Sequence, residues 1–327
     1  MLTSIIILLI AFTALVWSAD RFVYGAAALA KNLGVPTLIV GLTIVAMGSS
    51  APEMMVSASA ALADKTNTAV GNAIGSNITN ILLVLGITAL FKPLSVSSST
   101  LKREMPLLLL ISVGAWYVVS DNYFSAIEGY ALMIGFITFI LGLIIITKRN
   151  AKEQTTTEAD PFVTEACSDV PSNVSNRSAI FWLITGLILL PLSSHFLIES
   201  AVDIAKFFGM SDLVIGLTII AIGTSLPELA ACVAGVLKGE DDLALGNIIG
   251  SNIFNLLAVL SLAGMINPAE IDPAAASRDM LVMLGATIIL VTMCLNLKGT
   301  RRINRIEGAT LLCGFLAYQY YIFSQVA

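Results

Sequence analysis

Charge is scarce in this sequence. Only 12% of its 327 residues are Asp, Glu, Lys or Arg, about half the share of an ordinary soluble domain, while 57% are hydrophobic and the mean hydropathy is +0.90. A soluble globular domain is excluded. Histidine occurs once, at His195, and Cys167, Cys232, Cys294 and Cys313 show no CxxC spacing, so neither a zinc site nor a disulfide framework is supported. A pI near 4.9 and a net charge of -5 leave no basic surface for nucleic acid. Regular polar and apolar alternation is missing too, which excludes an outer-membrane barrel.

What is present is length without polarity. Apolar runs of roughly 20 residues, enough to cross a bilayer, lie near 2–30, 35–63, 68–91, 104–120 and 124–147, and again near 178–208, 213–237, 242–266, 279–297 and 304–325. They predict ten transmembrane helices. The first run has the apolar core of a signal peptide but no basic segment before it, and a counterpart later in the chain, so it reads as a span. Cytoplasmic loops concentrate Lys and Arg, and thirteen of the seventeen basic residues follow odd-numbered spans. Both termini are expected on the outer side of the cell (inner) membrane.

The chain also repeats itself. A shift of 175 positions aligns 34–86 with 209–261 without a gap, with 24 of 53 pairs identical. The agreement is densest in GLTIVAMGSSAPE against GLTIIAIGTSLPE and in GNAIGSNITN against GNIIGSNIFN, and it continues through KREM (102–105) against SRDM (277–280) and IEG (127–129) against IEG (306–308). Five spans per half is an odd number, so the second half must enter the membrane inverted. That is the arrangement of secondary transporters, whose site lies where the repeats meet near the midplane. The expected architecture is an all-α membrane protein of two inverted five-helix repeats, 1–147 and 178–327, with helices broken at the midplane. A polar cytoplasmic linker, 148–177, joins them; its acids lack the EF-hand spacing.

Each half carries one acid in a matched setting: Glu53 in GSSAPEMM and Glu228 in GTSLPELA. Pro52 and Pro227 have no N–H for the carbonyls of Gly48 and Gly223, so each helix should bend or unwind there. Freed carbonyls and the small residues Ala46, Gly48, Ser49 and Ser50 would then face a cavity. Ser49 precedes Glu53 by four residues, as Thr224 precedes Glu228, which places hydroxyl and carboxylate on one face if the helix resumes. Asn72, Ser76 and Asn80 are spaced by four, as are Asn247, Ser251 and Asn255, beside Gly71, Gly75, Gly246 and Gly250, which let helices approach closely.

A carboxylate at the bilayer centre costs about 2.5–3.5 kcal/mol on insertion scales, and no basic residue in the matched segments is placed to neutralise the pair. A cation is the simplest partner. Oxygen-only ligands suit Ca2+, which takes about 6–8 of them, and Na+ could use subsets. The competing reading is a buried acid that holds helices together, with serines bonded back to their own helix and asparagines as interhelical glue. Asp20 with Arg21 and Glu199 with Asp203 do not match across the repeat and read as interfacial, while the sequon at Asn77 lies inside a span, where glycosylation has no meaning.

The motifs GSSAPE with GNAIGSN and GTSLPE with GNIIGSN resemble the paired alpha repeats of the calcium/cation antiporter superfamily, the sodium/calcium exchangers, over nearly the whole chain. In its compact size the chain is similar to prokaryotic members. The resemblance implies that Glu53 and Glu228 bind Ca2+ centrally, that Ser49 and Thr224 add backbone or hydroxyl oxygens, and that Ser50, Ser76, Ser225, Ser251, Ala46 and Ala221 help form flanking Na+ sites. Asn80 and Asn255 match central polar positions. Potassium-dependent members use an Asp at the latter position, so Asn255 implies potassium independence; Ser49 stands where Thr is commoner.

The implied activity is secondary active antiport of Na+ against Ca2+ by alternating access, with no cofactor. Its partners would be the two ions and the lipid bilayer, with no nucleic acid and no obligatory protein partner. A proton-coupled antiporter, in which H+ replaces Na+ on the same glutamates, and a cation channel are the alternatives. An intramembrane enzyme is not supported, since neither motif is GxSxG and no histidine lies in the repeats to activate Ser49 or Ser50.

Overall fold

The computed structural model describes residues 2–35, 40, 48–96, 100–153, 170–171, 173–238, 241–295 and 302–325. The protein is mostly helical. In chain order the helices are α1 (Leu2–Asn32), α2 (Ala51–Leu62), α3 (Thr66–Phe91), α4 (Met105–Val119), α5 (Ala126–Glu153), α6 (Asn176–Phe207), α7 (212–238), α8 (241–266), α9 (Ala275–Cys294) and α10 (Arg305–Ser324).

Among the described residues, seven helices are long and apolar enough to cross a membrane, namely all of these except α2, α4 and α10. The difference from the ten expected spans has simple causes. α2 is the described part of the run expected at 35–63, because 36–39 and 41–47 lie outside the described residues. α4 is apolar throughout but has 15 residues, about 22 Å at 1.5 Å per residue. α10 has 20 residues but includes Tyr318, Gln319, Tyr320 and Tyr321. Of the expected linker, 154–169 and 172 lie outside the described residues.

Local chemistry starts the helices alike at matched positions. Asn304 Oδ1 accepts from the amides of Ile306 and Glu307 while Glu307 Oε2 accepts from the Asn304 amide at 2.7 Å, a capping box that opens α10. Ser125 and Glu128 do the same before α5: the Ser125 amide donates to Glu128 Oε2 at 2.9 Å and the Glu128 amide to Ser125 Oγ at 3.3 Å. Two short antiparallel links then exchange partners. β1 (Leu94–Ser95), β2 (Tyr123–Phe124), β3 (Ala269–Glu270) and β4 (Arg302–Ile303) pair as β1 with β4, Leu94 opposite Ile303, and as β2 with β3, Phe124 opposite Ala269. Each link therefore joins a segment of the first half to one of the second.

α3 and α8 form the centre: 78% and 83% of their apolar stretches are buried, against 22% for α1 and 28% for α6. The large apolar side chains exposed on α1, α5 and α6 are the surface a bilayer would cover. Glycines set the closest approaches. A Cβ on Gly71 of α3 would lie 2.5 Å from the Leu213 carbonyl oxygen of α7, and one on Gly75 would lie 2.7 Å from Leu217 Cα. Gly246 of α8, the 175-shifted match of Gly71, has no such neighbour within 4 Å among the described residues. A cavity of about 60 Å³ opens beside it, lined by Ile249, Gly250 and Ile253 with Leu107 and Phe139. The seam between α3 and α7 is closely packed; the segment that matches this part of α7 in the repeat, 36–47, lies outside the described residues apart from Val40.

Gly71→Val should therefore destabilise the protein by about 1–3 kcal/mol through overpacking. Thermal unfolding of the purified variant in detergent measures this; a Gly71→Val protein as stable as wild type would contradict the close seam.

Candidate functional site

Two prolines open the helices that carry the acids. Pro52 sits in the first turn of α2, where a missing N–H breaks no helical bond, and Pro227 is the second residue of Leu226–Lys238, the later part of α7. The residues just before are bent alike: Ser50 has φ -89° and ψ 7°, and Ser225 has φ -85° and ψ 1°, a sparsely populated region of backbone space. In α7 this interrupts the helix after Ala221–Thr224. The Gly48 carbonyl, expected to be freed, instead accepts from the Ala51 amide at 3.2 Å. The proline there produces a tight turn. Ser49 and Thr224 consequently lie before the breaks, off the helices that carry the acids.

Glu53 and Glu228 both stand in a first helical turn and both are completely buried. A helix N-terminus stabilises a negative charge by about 0.3–1 kcal/mol, up to ~2 in partly buried geometry. Burying an ion costs several kcal/mol, so the dipoles do not cancel the penalty. No donor among the described residues lies within hydrogen-bond distance of either carboxylate; the Thr224 hydroxyl approaches that of Glu53, and the two carboxylates repel through space.

Other polar atoms are orphaned close by in the fold. Ser50 Oγ, Ser225 Oγ, Asn80 Oδ1 and both amide atoms of Asn255 are buried without a hydrogen-bond partner among the described residues. Asn80 lies in a π-helical turn of α3, Thr79–Val84, and Asn255 in the matching turn of α8, Asn255–Val259. Such turns recur at functional sites. The turn with Asn80 packs on Leu226–Lys238, which carries Glu228, and the turn with Asn255 packs on α2, which carries Glu53. Each acid-bearing helix thus packs on an asparagine-bearing turn from the opposite half.

Asn72 ties this centre together. Its Nδ2 donates to the Glu53 carbonyl oxygen at 3.1 Å and to Ser57 Oγ at 2.9 Å, and its Oδ1 accepts from Thr224 Oγ1 at 3.4 Å. Ser76 Oγ lies 3.5 Å from Thr224 Oγ1. In the other half Asn247 Nδ2 donates to Cys232 Sγ at 3.7 Å. Ser251 is buried at 4% exposure, and Ala221 sits where α7 crosses Gly75. Ala46 lies outside the described residues.

Sequence reasoning passed over Ser57, Cys232, Asn77 and Asn252. The matched pair Asn77 and Asn252 was visible in both GSN triplets but off the face made by spacing of four. Among the described residues no three His, Cys, Asp or Glu side chains gather, and His195 faces Glu199 on the exposed side of α6 at 3.8 Å. The centre is a set of oxygens with two negative charges, which suits a hard cation.

Comparisons with known proteins agree with this chemistry. The family described as sodium/calcium exchanger protein matches residues 3–145 and 178–324. CaxA of Alkalimonas amylolytica is 54% identical over 99% of this chain and 100% of its own. The inner membrane protein YrbG of Escherichia coli (strain K12) is 42% identical over 97% of this chain and 96% of its own. The solved structure of the sodium-calcium exchanger NCX_Mj soaked with Na+ and Sr2+ is similar at a TM-score of 0.61 and 27% identity, covering 97% of both chains.

Glu228→Gln removes one of two uncompensated buried charges. In buffer free of Na+ and Ca2+ the variant should be more stable than wild type by about 1–3 kcal/mol, and added Ca2+ should reverse the order by stabilising wild type. Thermal scans with and without the ions check this; equal stability in ion-free buffer would mean that the carboxylates are already satisfied by protein groups.

Proposed function

The chain belongs to the sodium/calcium exchanger family, a family of membrane cation antiporters rather than enzymes, and from that premise we propose that it exchanges Na+ for Ca2+ across the cell (inner) membrane by alternating access, independently of K+. The observation that carries the reading is the pair of buried, repelling and unpartnered carboxylates of Glu53 and Glu228 beside orphaned serine and asparagine oxygens. Either substrate ion would supply the missing positive charge.

Ca2+ is held between Glu53 and Glu228 with oxygens from Ser49 and Thr224. Na+ ions take flanking positions with Ser50, Ser76, Ser225, Ser251, Ala46 and Ala221, and Asn80 and Asn255 complete the centre. Bare carboxylates resist movement through the low-dielectric barrier, whereas a loaded site can turn to the other side, so exchange is coupled. The absence of a third acid at Asn255 supports independence from K+.

This reading keeps the ten-span arrangement of two inverted repeats, 1–147 and 178–327, joined by a cytoplasmic segment, 148–177, with both termini outside. The exchanged strand links and the matched capping boxes support the paired repeats. The close packing of α3 on α7 at Gly71 and Gly75 supports alternating access, since a carrier seals one face at a time.

The test is radiolabelled Ca2+ uptake into Na+-loaded proteoliposomes, with the Na+ gradient, K+ and external pH varied separately. Uptake should require internal Na+, ignore K+, reverse with the Na+ gradient, and fall at least about 100-fold in Glu53→Gln or Glu228→Gln, a loss of roughly 2.7 kcal/mol. Uptake driven by a pH gradient alone would assign H+ as the coupling ion, and uptake without a counter-ion would make the protein a channel.

A further inference from the structure

Four buried asparagines lie between the acid-bearing helices. Asn77 and Asn80 on α3 match Asn252 and Asn255 on α8 at the 175-residue shift, and none is more than 1% exposed. Asn80 Nδ2 donates to Asn252 Oδ1 at 3.1 Å, and Asn252 Nδ2 donates to the backbone carbonyl of Asn77 at 3.5 Å. With its nitrogen tied to Asn252, Asn80 has its Oδ1 left to offer, and that oxygen is without a partner among the described residues.

The repeat defines an equivalent bond, from Asn255 Nδ2 to Asn77 Oδ1. Both atoms are buried and unpartnered among the described residues, while Asn77 Nδ2 rests 3.6 Å from Met283 Sδ. Of two equivalent bonds, one is made and the other is not. In the same state a cavity of about 60 Å³ lies beside Gly246, towards the Asp241 end of α8.

The difference matters to a cation. An amide attracts it through oxygen and repels it through its N–H groups, so an amide clamped by its nitrogen is preorganised as a ligand and a loose one must first be turned. We propose that Asn252 and Asn77 are positioning residues that turn the amides of Asn80 and Asn255 oxygen-forward, with one of the two bonds made at a time. Asn252 holds Asn80 while the protein is open at the Asp241 end of α8, and Asn77 holds Asn255 while it is open at the Thr66 end of α3. This rests on the Ca2+-transport reading given above.

The experiment measures the KM for Ca2+ from each face in oriented proteoliposomes. Asn252→Leu should raise KM about tenfold, equivalent to about 1.4 kcal/mol, at the Asp241 face with less than about a twofold change at the other, and Asn77→Leu should do the reverse. In an Asn80→Asp background, where the two carboxylate oxygens are equivalent and no nitrogen needs tying, Asn252→Leu should add less than about twofold. If a leucine variant does not fold, the alanine variant at the same position is read in the same way. Equal shifts at both faces, no shift at either, or a full additional loss in the Asn80→Asp background would overturn the proposal while leaving the transport reading intact. No Ca2+ uptake by the wild type would overturn both.

Discussion

An ionised carboxylate moved into a protein interior loses several kcal/mol of solvation, and a second one beside it adds a repulsion that the low dielectric does little to screen. Glu53 and Glu228 are both in this position. Their placement in first helical turns recovers only part of the cost, and the surrounding groups do not bond them. The breaks at Ser50 and Ser225, the π-helical turns at Asn80 and Asn255, and the glycines of α3 then have a common consequence. They bring polar atoms to the acids without closing hydrogen bonds on them. A site built for stability alone would have filled those bonds.

The two halves supply equivalent parts and use them unequally. Strand links, capping boxes and breaks correspond pair by pair. Among the described residues, the Asn80 to Asn252 bond and the full burial of Asn72 have no equal at the matched positions, where Asn247 is partly exposed. Packed interfaces tend to be bistable rather than continuously deformable. A molecule with two equivalent asparagine bonds and one of them made has the parts of a two-state element, and ions shift such an element only by as much as they bind the two states differently.

Much of this was legible in the sequence, because a duplicated motif states its own important positions. The acids, the prolines, the hydroxyls and the glycines could all be named from the 175-residue shift. What could not be read is how orphaned groups are divided from bonded ones. Asn77, Asn80, Asn252 and Asn255 are chemically alike, yet Asn80 is tied and Asn255 is loose, a distinction set by packing between halves. Gly48 was likewise misjudged, because periodicity cannot anticipate that the Ala51 amide takes the carbonyl which proline leaves. Expecting ten spans from hydropathy also treats α4 and α10 as equal to α5, although length in one and tyrosines in the other set them apart.

The inequality has a further source in residues that differ at matched positions. On the second half, the buried Asp279 near the start of α9 is bonded by the partly exposed Arg278 through Nε at 2.7 Å and by Tyr318 Oη of α10 at 2.9 Å. The residue matching Tyr318 is Phe139, which has no hydroxyl to donate, and Phe139 lines the cavity beside Gly246. If the two end states of a carrier were exactly symmetric, neither would be preferred; a tyrosine hydrogen bond that the phenylalanine of the other half cannot make, worth about 0.5–1.5 kcal/mol or more when an ionised partner accepts it, is enough to bias the resting state several-fold towards one face. Substitutions at such peripheral pairs are thus a means by which a duplicated transporter can set its resting orientation without altering the ligands that the repeats share.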